Sequence, residues 1–150
     1  MRSEEILNGD NYHPRVLMQV FARDHVVVCG TDEVIALIRQ CAFHPETIEI
    51  HSLRDGEEVD EWETVMTIEG DYADFAHLET IYLGILARQS RIATNVRRVV
   101  KAANGKPVLF FPARYDIYQT QESDGYAALV GGIHGFSTDA NALAAGGKGL

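Results

Sequence analysis

Residues 102–114, AANGKPVLFFPAR, join two kinds of sequence. Before them runs a long stretch of helical periodicity, and after them short apolar runs alternate with helix-like segments. Gly105 can take the left-handed conformation that closes a helix, so the helix is expected to stop there. PVLFF then reads as a short buried strand, and Arg114 follows two residues after Pro112. A planar cation at the exit of a buried strand is unusual unless an anion meets it.

Upstream, Leu78, Tyr82, Ile85, Ile92, Val96, Val99 and Ala103 recur at helical spacing, which predicts a helix over about 74–103. Earlier still, RVLMQVF (15–21) and HVVVCG (25–30) are β-rich runs separated by ARD, expected to pair as antiparallel strands across a short turn. TDEVIALIRQCAF (31–43) reads as a helix with Thr31 as N-cap and Asp32 and Glu33 in its first turn. ETIEIHSL (46–53) alternates as a half-buried strand does, RDGEEVDE (54–61) is an acidic turn, and WETVMTIEG (62–70) puts Trp62, Thr64, Met66 and Ile68 on one face. Strands, helix, strands and a long helix make an α+β sandwich domain, assigned to residues 1–105.

Downstream, SDGYAALVGG (123–132) reads as a helix, IHGF (133–136) as a second short strand, and STDANALAAGG (137–147) as a helix start. This β-α-β-α rhythm predicts a parallel sheet, the start of an α/β barrel in residues 106–150. Two such units cannot cover both faces of a parallel sheet, so the fold is expected to be incomplete at GGKGL (146–150). The 150 residues taken alone are expected to be inactive, and either to self-associate or to need the missing segment to stay soluble.

Composition narrows the function. A net charge of −9 and the lack of a dense basic patch argue against nucleic acid. The arginine-rich piece ARQSRIATNVRR (87–98) reads as a solvated helix face. Two cysteines, Cys29 and Cys41, give no paired framework, which fits a reducing cytoplasm. No signal peptide or membrane-length apolar run is visible, and the six histidines show no metal-ligand spacing. Ligands of α/β sheets bind at the carboxyl ends of strands. Two such ends carry chemistry here: Phe111 with Arg114, and Ser137, Thr138 and Asp139. An aromatic face beside a guanidinium fork suits a flat, anionic aromatic ligand.

LET (78–80), IATN (92–95), the F-x-x-R from Phe111 to Arg114 and the small-residue stretch ending at Asp139 occur in this order from about Val16 to Leu150. That set resembles the nicotinate phosphoribosyltransferase family, with its nicotinamide and quinolinate relatives. The resemblance implies a type II phosphoribosyltransferase working as a homodimer or higher oligomer in NAD biosynthesis. Its substrates would be nicotinate and phosphoribosyl pyrophosphate, with Mg²⁺ and ATP as cofactors whose sites lie outside this chain. Phe111 would stack on the pyridine ring, Arg114 would grip the base and phosphate site, and Asp139 matches a residue that faces the amide in the nicotinamide branch; no catalytic residue is assigned. Nicotinate is preferred to nicotinamide and to quinolinate, whose second carboxylate would want more cations than PARYDIY (112–118) supplies. The alternative is a non-catalytic α+β module that binds a metabolite or a partner chain.

Overall fold

The computed structural model describes residues 2–150. In chain order the elements are α1 (Arg2–Gly9), β1 (Arg15–Phe21), β2 (Val26–Val27), α2 (Thr31–Cys41), β3 (Glu49–Ser52), β4 (Glu58–Val59), β5 (Thr64–Asp71), α3 (Tyr72–Phe75), α4 (Glu79–Ala103), β6 (Leu109–Phe110), α5 (Gln121–Gly131), β7 (Gly135–Phe136) and α6 (Asp139–Ala142).

The first layer is an antiparallel sheet in the order β1-β5-β3. Its inner face follows the period-2 rule: Val16, Met18 and Val20 from β1, Ile50 from β3, and Met66 and Ile68 from β5. These side chains pack on Val34 and Ile38 of α2 and on Phe75, Leu78, Tyr82 and Leu86 along the next helical segments. Trp62 and Thr64 do not join that face. Trp62 is exposed, lies before β5 with φ 69°, and stacks on Phe21 with ring centroids 5.2 Å apart. A register shift between Val20 and Phe21 marks the end of regular pairing there.

Two local expectations are corrected. β2 does not pair with β1; it pairs antiparallel with β4, within the stretch expected to be an acidic turn. Thr31 is not the N-cap of α2. Gly30 holds that place in the left-handed region (φ 97°), and Thr31 donates both its backbone N–H and its hydroxyl to Asp55 Oδ1, at 2.9 and 2.8 Å. Asp55 also accepts from the Tyr126 hydroxyl at 2.9 Å, so one carboxylate ties the start of α2 to α5.

The expected helix over about 74–103 is split. Asp71 caps α3 by accepting from Ala73 N–H, a 3-10 turn covers Ala76–Leu78, and the regular helix runs Glu79–Ala103. It ends at Asn104 (φ 48°) and Gly105 (φ 82°), so the left-handed stop uses both residues. Its buried face is Tyr82, Leu86, Gln89, Ala93 and Val96, whereas Val99 is exposed.

The second half of α4 carries the rest of the chain. Val96 meets Ala128, Ile133, Phe136 and Ala142, and Ala93 meets Val27, Cys29 and Ala127. α5 lies close because Gly131 has no side chain: a Cβ there would fall 2.6 Å from Val96 Cγ1. β6 and β7 pair in parallel, Leu109 with Gly135 and Phe110 with Phe136, with α5 between them in sequence. A parallel β-α-β unit is therefore present; among the described residues there is no closed barrel. Burial next to Asp55 and Glu33 pushes the Cys29 thiol up to about 12, desolvation being the largest cause, while Cys41 is exposed. No helix among the described residues is long and apolar enough to cross a membrane.

Candidate functional site at the exits of two parallel strands

Parallel pairing brings two strand exits to one edge. Phe110 and Phe136 are register partners, and Ser137 N–H donates to Phe110 O at 3.0 Å. Phe111 and Ser137 therefore leave the strands side by side. Phe111 is 47% exposed rather than buried in the core.

Residues 112–115 form a tight turn in which Tyr115 N–H donates to Pro112 O at 2.9 Å. Arg114 is its third residue and has φ 72°. That position favours glycine, and a side chain there costs about 1–2 kcal/mol. The turn lays the Arg114 guanidinium carbon 5.9 Å from the Phe111 ring centroid, within cation–π range. Arg114 is exposed and takes part in no ion pair among the described residues. A ring stacked on Phe111 and a carboxylate received by Arg114 would both be reached from solvent.

Asp139 opens α6 at the second exit, but Thr138 is the cap, its hydroxyl accepting from Asn141 N–H at 3.2 Å. Asp139 is exposed, and its Oδ1 accepts from Gly149 N–H at 2.9 Å. One of its oxygens thus has a structural partner already. Of the three residues singled out in the sequence, Phe111 and Arg114 are in contact, and Asp139 stands three residues beyond the neighbouring strand. Ser137 adds a buried hydroxyl with no hydrogen-bond partner at that same edge.

The support beneath the site was hidden in the arginine-rich stretch. Arg88 stays partly exposed, yet it is not a free surface cation. Its Nε and Nη2 donate to Asp124 Oδ1 and Oδ2 at 2.8 and 2.7 Å, and Asp124 is 0% exposed. Nη2 also reaches Thr120 Oγ1 at 3.3 Å and Asp116 at 3.8 Å, so Arg88 ties α4 to the segment that follows Arg114. The fork geometry makes this a bidentate pair, and it raises the Arg88 pKa, chiefly through the Asp124 hydrogen bond. Arg97 donates to the carbonyls of Val130 and Gly131, closing the carboxyl end of α5, and to Glu58 at 2.8 Å. The acidic first turn of α5, Glu122 and Asp124, is the sequence signal that could have matched Arg88.

Among the described residues no group of three or more His, Cys, Asp or Glu side chains is placed to hold a metal ion. Comparison with known proteins gives a family match: residues 5–90 fit the model described as quinolinate phosphoribosyl transferase, N-terminal domain. The structure resembles nicotinate-nucleotide pyrophosphorylase from Pyrococcus furiosus, with 32% identity and a TM-score of 0.90 over 99% of this chain and 39% of that one. It also resembles NadC from Streptococcus pyogenes (20% identity, TM-score 0.72, 85% and 46% covered) and human nicotinic acid phosphoribosyltransferase (14%, 0.79, 95% and 35%), in fold. The chain spans less than half the length of each of these three proteins. No curated protein matches it significantly by sequence.

Proposed function

The chain belongs to the family of quinolinate phosphoribosyl transferase N-terminal domains, and from that premise we propose that it forms part of a phosphoribosyltransferase acting on a pyridine carboxylate in NAD biosynthesis. In this reading residues 1–105 are the sandwich domain, and 106–150 are the first β/α units of a barrel whose mouth is the edge bearing Phe111, Arg114, Ser137 and Asp139. The observation that carries it is Arg114. A residue held at φ 72°, where glycine would be less strained, without an ion-pair partner among the described residues and against an exposed aromatic ring, is placed for a ligand rather than for stability.

The chemistry asks for positioning. The pyridine nitrogen lone pair attacks the anomeric carbon of phosphoribosyl pyrophosphate, the carbon–oxygen bond to pyrophosphate breaks, and pyrophosphate leaves with the bonding electrons. No general base is needed, because the nucleophile carries no proton. Phe111 fixes the ring plane, and Arg114 holds the ring carboxylate in that plane, so the nitrogen points at the sugar. If the base is quinolinate, a dicarboxylate, forming nicotinate nucleotide also breaks the bond between the ring and one carboxylate: carbon dioxide leaves, the bonding pair stays on the ring carbon, and that carbon takes a proton from solvent. Mg²⁺ would enter with the pyrophosphate substrate, and ATP belongs to the nicotinate branch of the resemblance; no step above depends on a site for either in this chain.

We favour quinolinate as the base, over the nicotinate preferred from the sequence, because the matching family model is that of quinolinate phosphoribosyl transferase. The second reading is nicotinate, favoured by a single observation: Arg114 is the one cation in the segment 112–118, enough for a single carboxylate. Supplying the full-length protein with phosphoribosyl pyrophosphate and either base decides between them. Pyrophosphate and carbon dioxide released in equal amounts from quinolinate support the first. Pyrophosphate released from nicotinate alone supports the second. Turnover of neither would refute both.

A further inference from the structure

Away from the strand exits, a groove of about 750 Å³ runs between the β1–β2 connection and the flank of α4 that faces away from α5. Its floor is apolar: Val20, Val26, Val65 and Leu86. Phe21 and Leu83 form its rim and stay about 40% and 39% exposed. Arg91 and Arg98, two helical turns apart, stand on the α4 wall, and Arg23 stands opposite.

The charges of this groove invert those of the molecule. Arg15, Arg88 and Arg97 each hold carboxylates, whereas Arg23, Arg91 and Arg98 have no carboxylate within 4 Å and no side-chain hydrogen bond among the described residues. Asp24 is the one acid in the lining, and His25 is already engaged by Asp60 at 2.9 Å and Glu58 at 3.4 Å. Three guanidinium groups against one carboxylate leave two positive charges, in a chain whose net charge is −9. Beside the rim sits Trp62, a bulky residue held at φ 69° with its ring on Phe21.

We propose that this groove binds a small organic phosphate, a dianionic head on a flat apolar body. The two unanswered positive charges match a phosphomonoester, and the guanidinium forks suit its oxygens. The valine–leucine floor and the Phe21 edge match the apolar body. The volume lies in the range of small-molecule sites. The acidic surface elsewhere disfavours a polyanionic polymer. The site is separate from the strand exits and does not rest on the pyridine reading.

Trp62 is the single tryptophan and reports on the groove through Phe21. The probe is phenyl phosphate, titrated into the chain with tryptophan emission and calorimetry as readouts. Saturable binding is expected, with phenol and inorganic phosphate each about tenfold weaker or more. Arg91→Glu with Arg98→Glu should weaken binding at least about tenfold, and Arg91→Gln with Arg98→Gln by a smaller factor. Both arginines are exposed, so far-ultraviolet dichroism should not change. Arg114→Ala should leave phenyl phosphate binding intact. Calorimetry without saturation, equal affinity in the charge-reversed chain, or loss of binding in Arg114→Ala would each overturn the proposal.

Discussion

The two parts of the chain are held in different ways. Residues up to about 103 bury their own core, with Phe75, Ile38, Ile48, Met66 and Ile68 among the largest fully buried side chains. Residues 106–150 contribute two strands of two residues each and leave Leu109, Phe111, Tyr115, Ile117, Tyr118 and Leu143 exposed. What fixes this second part is α4: the Arg88–Asp124 pair, the Arg97 contacts with the end of α5, and the close approach at Gly131. The first part carries a core of its own and the second is packed on it. A site on a segment packed in this way is only as well placed as its links to the first part.

The comparison breaks most sharply at the first core. Phe75 is fully buried, so Phe75→Ala should cost about 3–5 kcal/mol through lost transfer energy and a residual cavity. Denaturant unfolding should show the loss in probes on both parts, since α4 carries the second. A drop confined to 106–150 would contradict this.

Arg88→Ala tests the link. It leaves Asp124 buried without its cation, which should cost about 2–3 kcal/mol; a fully buried pair would cost more, and Arg88 is partly exposed. Hydrogen exchange is the measurement: amides of α5 and the segment after Arg114 should lose protection while β5 keeps it. Uniform loss would mean that the two parts unfold as one.

The contrast also explains what could be read from the chain. The alternation in β1 and β5 and the 3.6 period of α4 are local patterns created by one buried face, so they survive in the sequence. The β2–β4 pairing, the Thr31–Asp55 contact and the Arg88–Asp124 pair join residues 24 to 36 positions apart, and nothing local marks the partner. Arg88 looked solvated because its own neighbours are polar; its partner lies on another helix. At the candidate site the F-x-x-R spacing was legible; the turn over 112–115, just past the strand end, brings the two side chains together. The positive φ of Arg114 was not, because the sequence carries no glycine to announce it.

A smaller effect belongs to the first part alone. His44 Nδ1 lies 2.8 Å from Asp74 Oδ1, and this contact raises the His44 pKa above the ordinary 6.5, the hydrogen bond being the largest cause. A raised folded pKa means that the protonated form is stabilised by folding. The contribution is complete below about pH 6.5 and is lost as pH rises through the higher folded value. Relative to His44→Gln, the wild type should therefore lose a little stability as the pH rises above about 6.5, measured by thermal unfolding. A wild-type advantage that grows with pH would reverse the sign and refute the assignment.

The central claim is that Arg114 accepts strain in order to meet a ligand, and Arg114→Gly tests it most directly. Glycine is at ease at φ 72°, so the melting temperature should hold or rise. In the full-length protein, kcat/KM for the pyridine carboxylate should fall by about 2–4 kcal/mol of transition-state stabilisation, and Arg114→Lys should not restore it. A variant that melts lower yet turns over the base at the wild-type rate would show that Arg114 serves the fold and not the substrate.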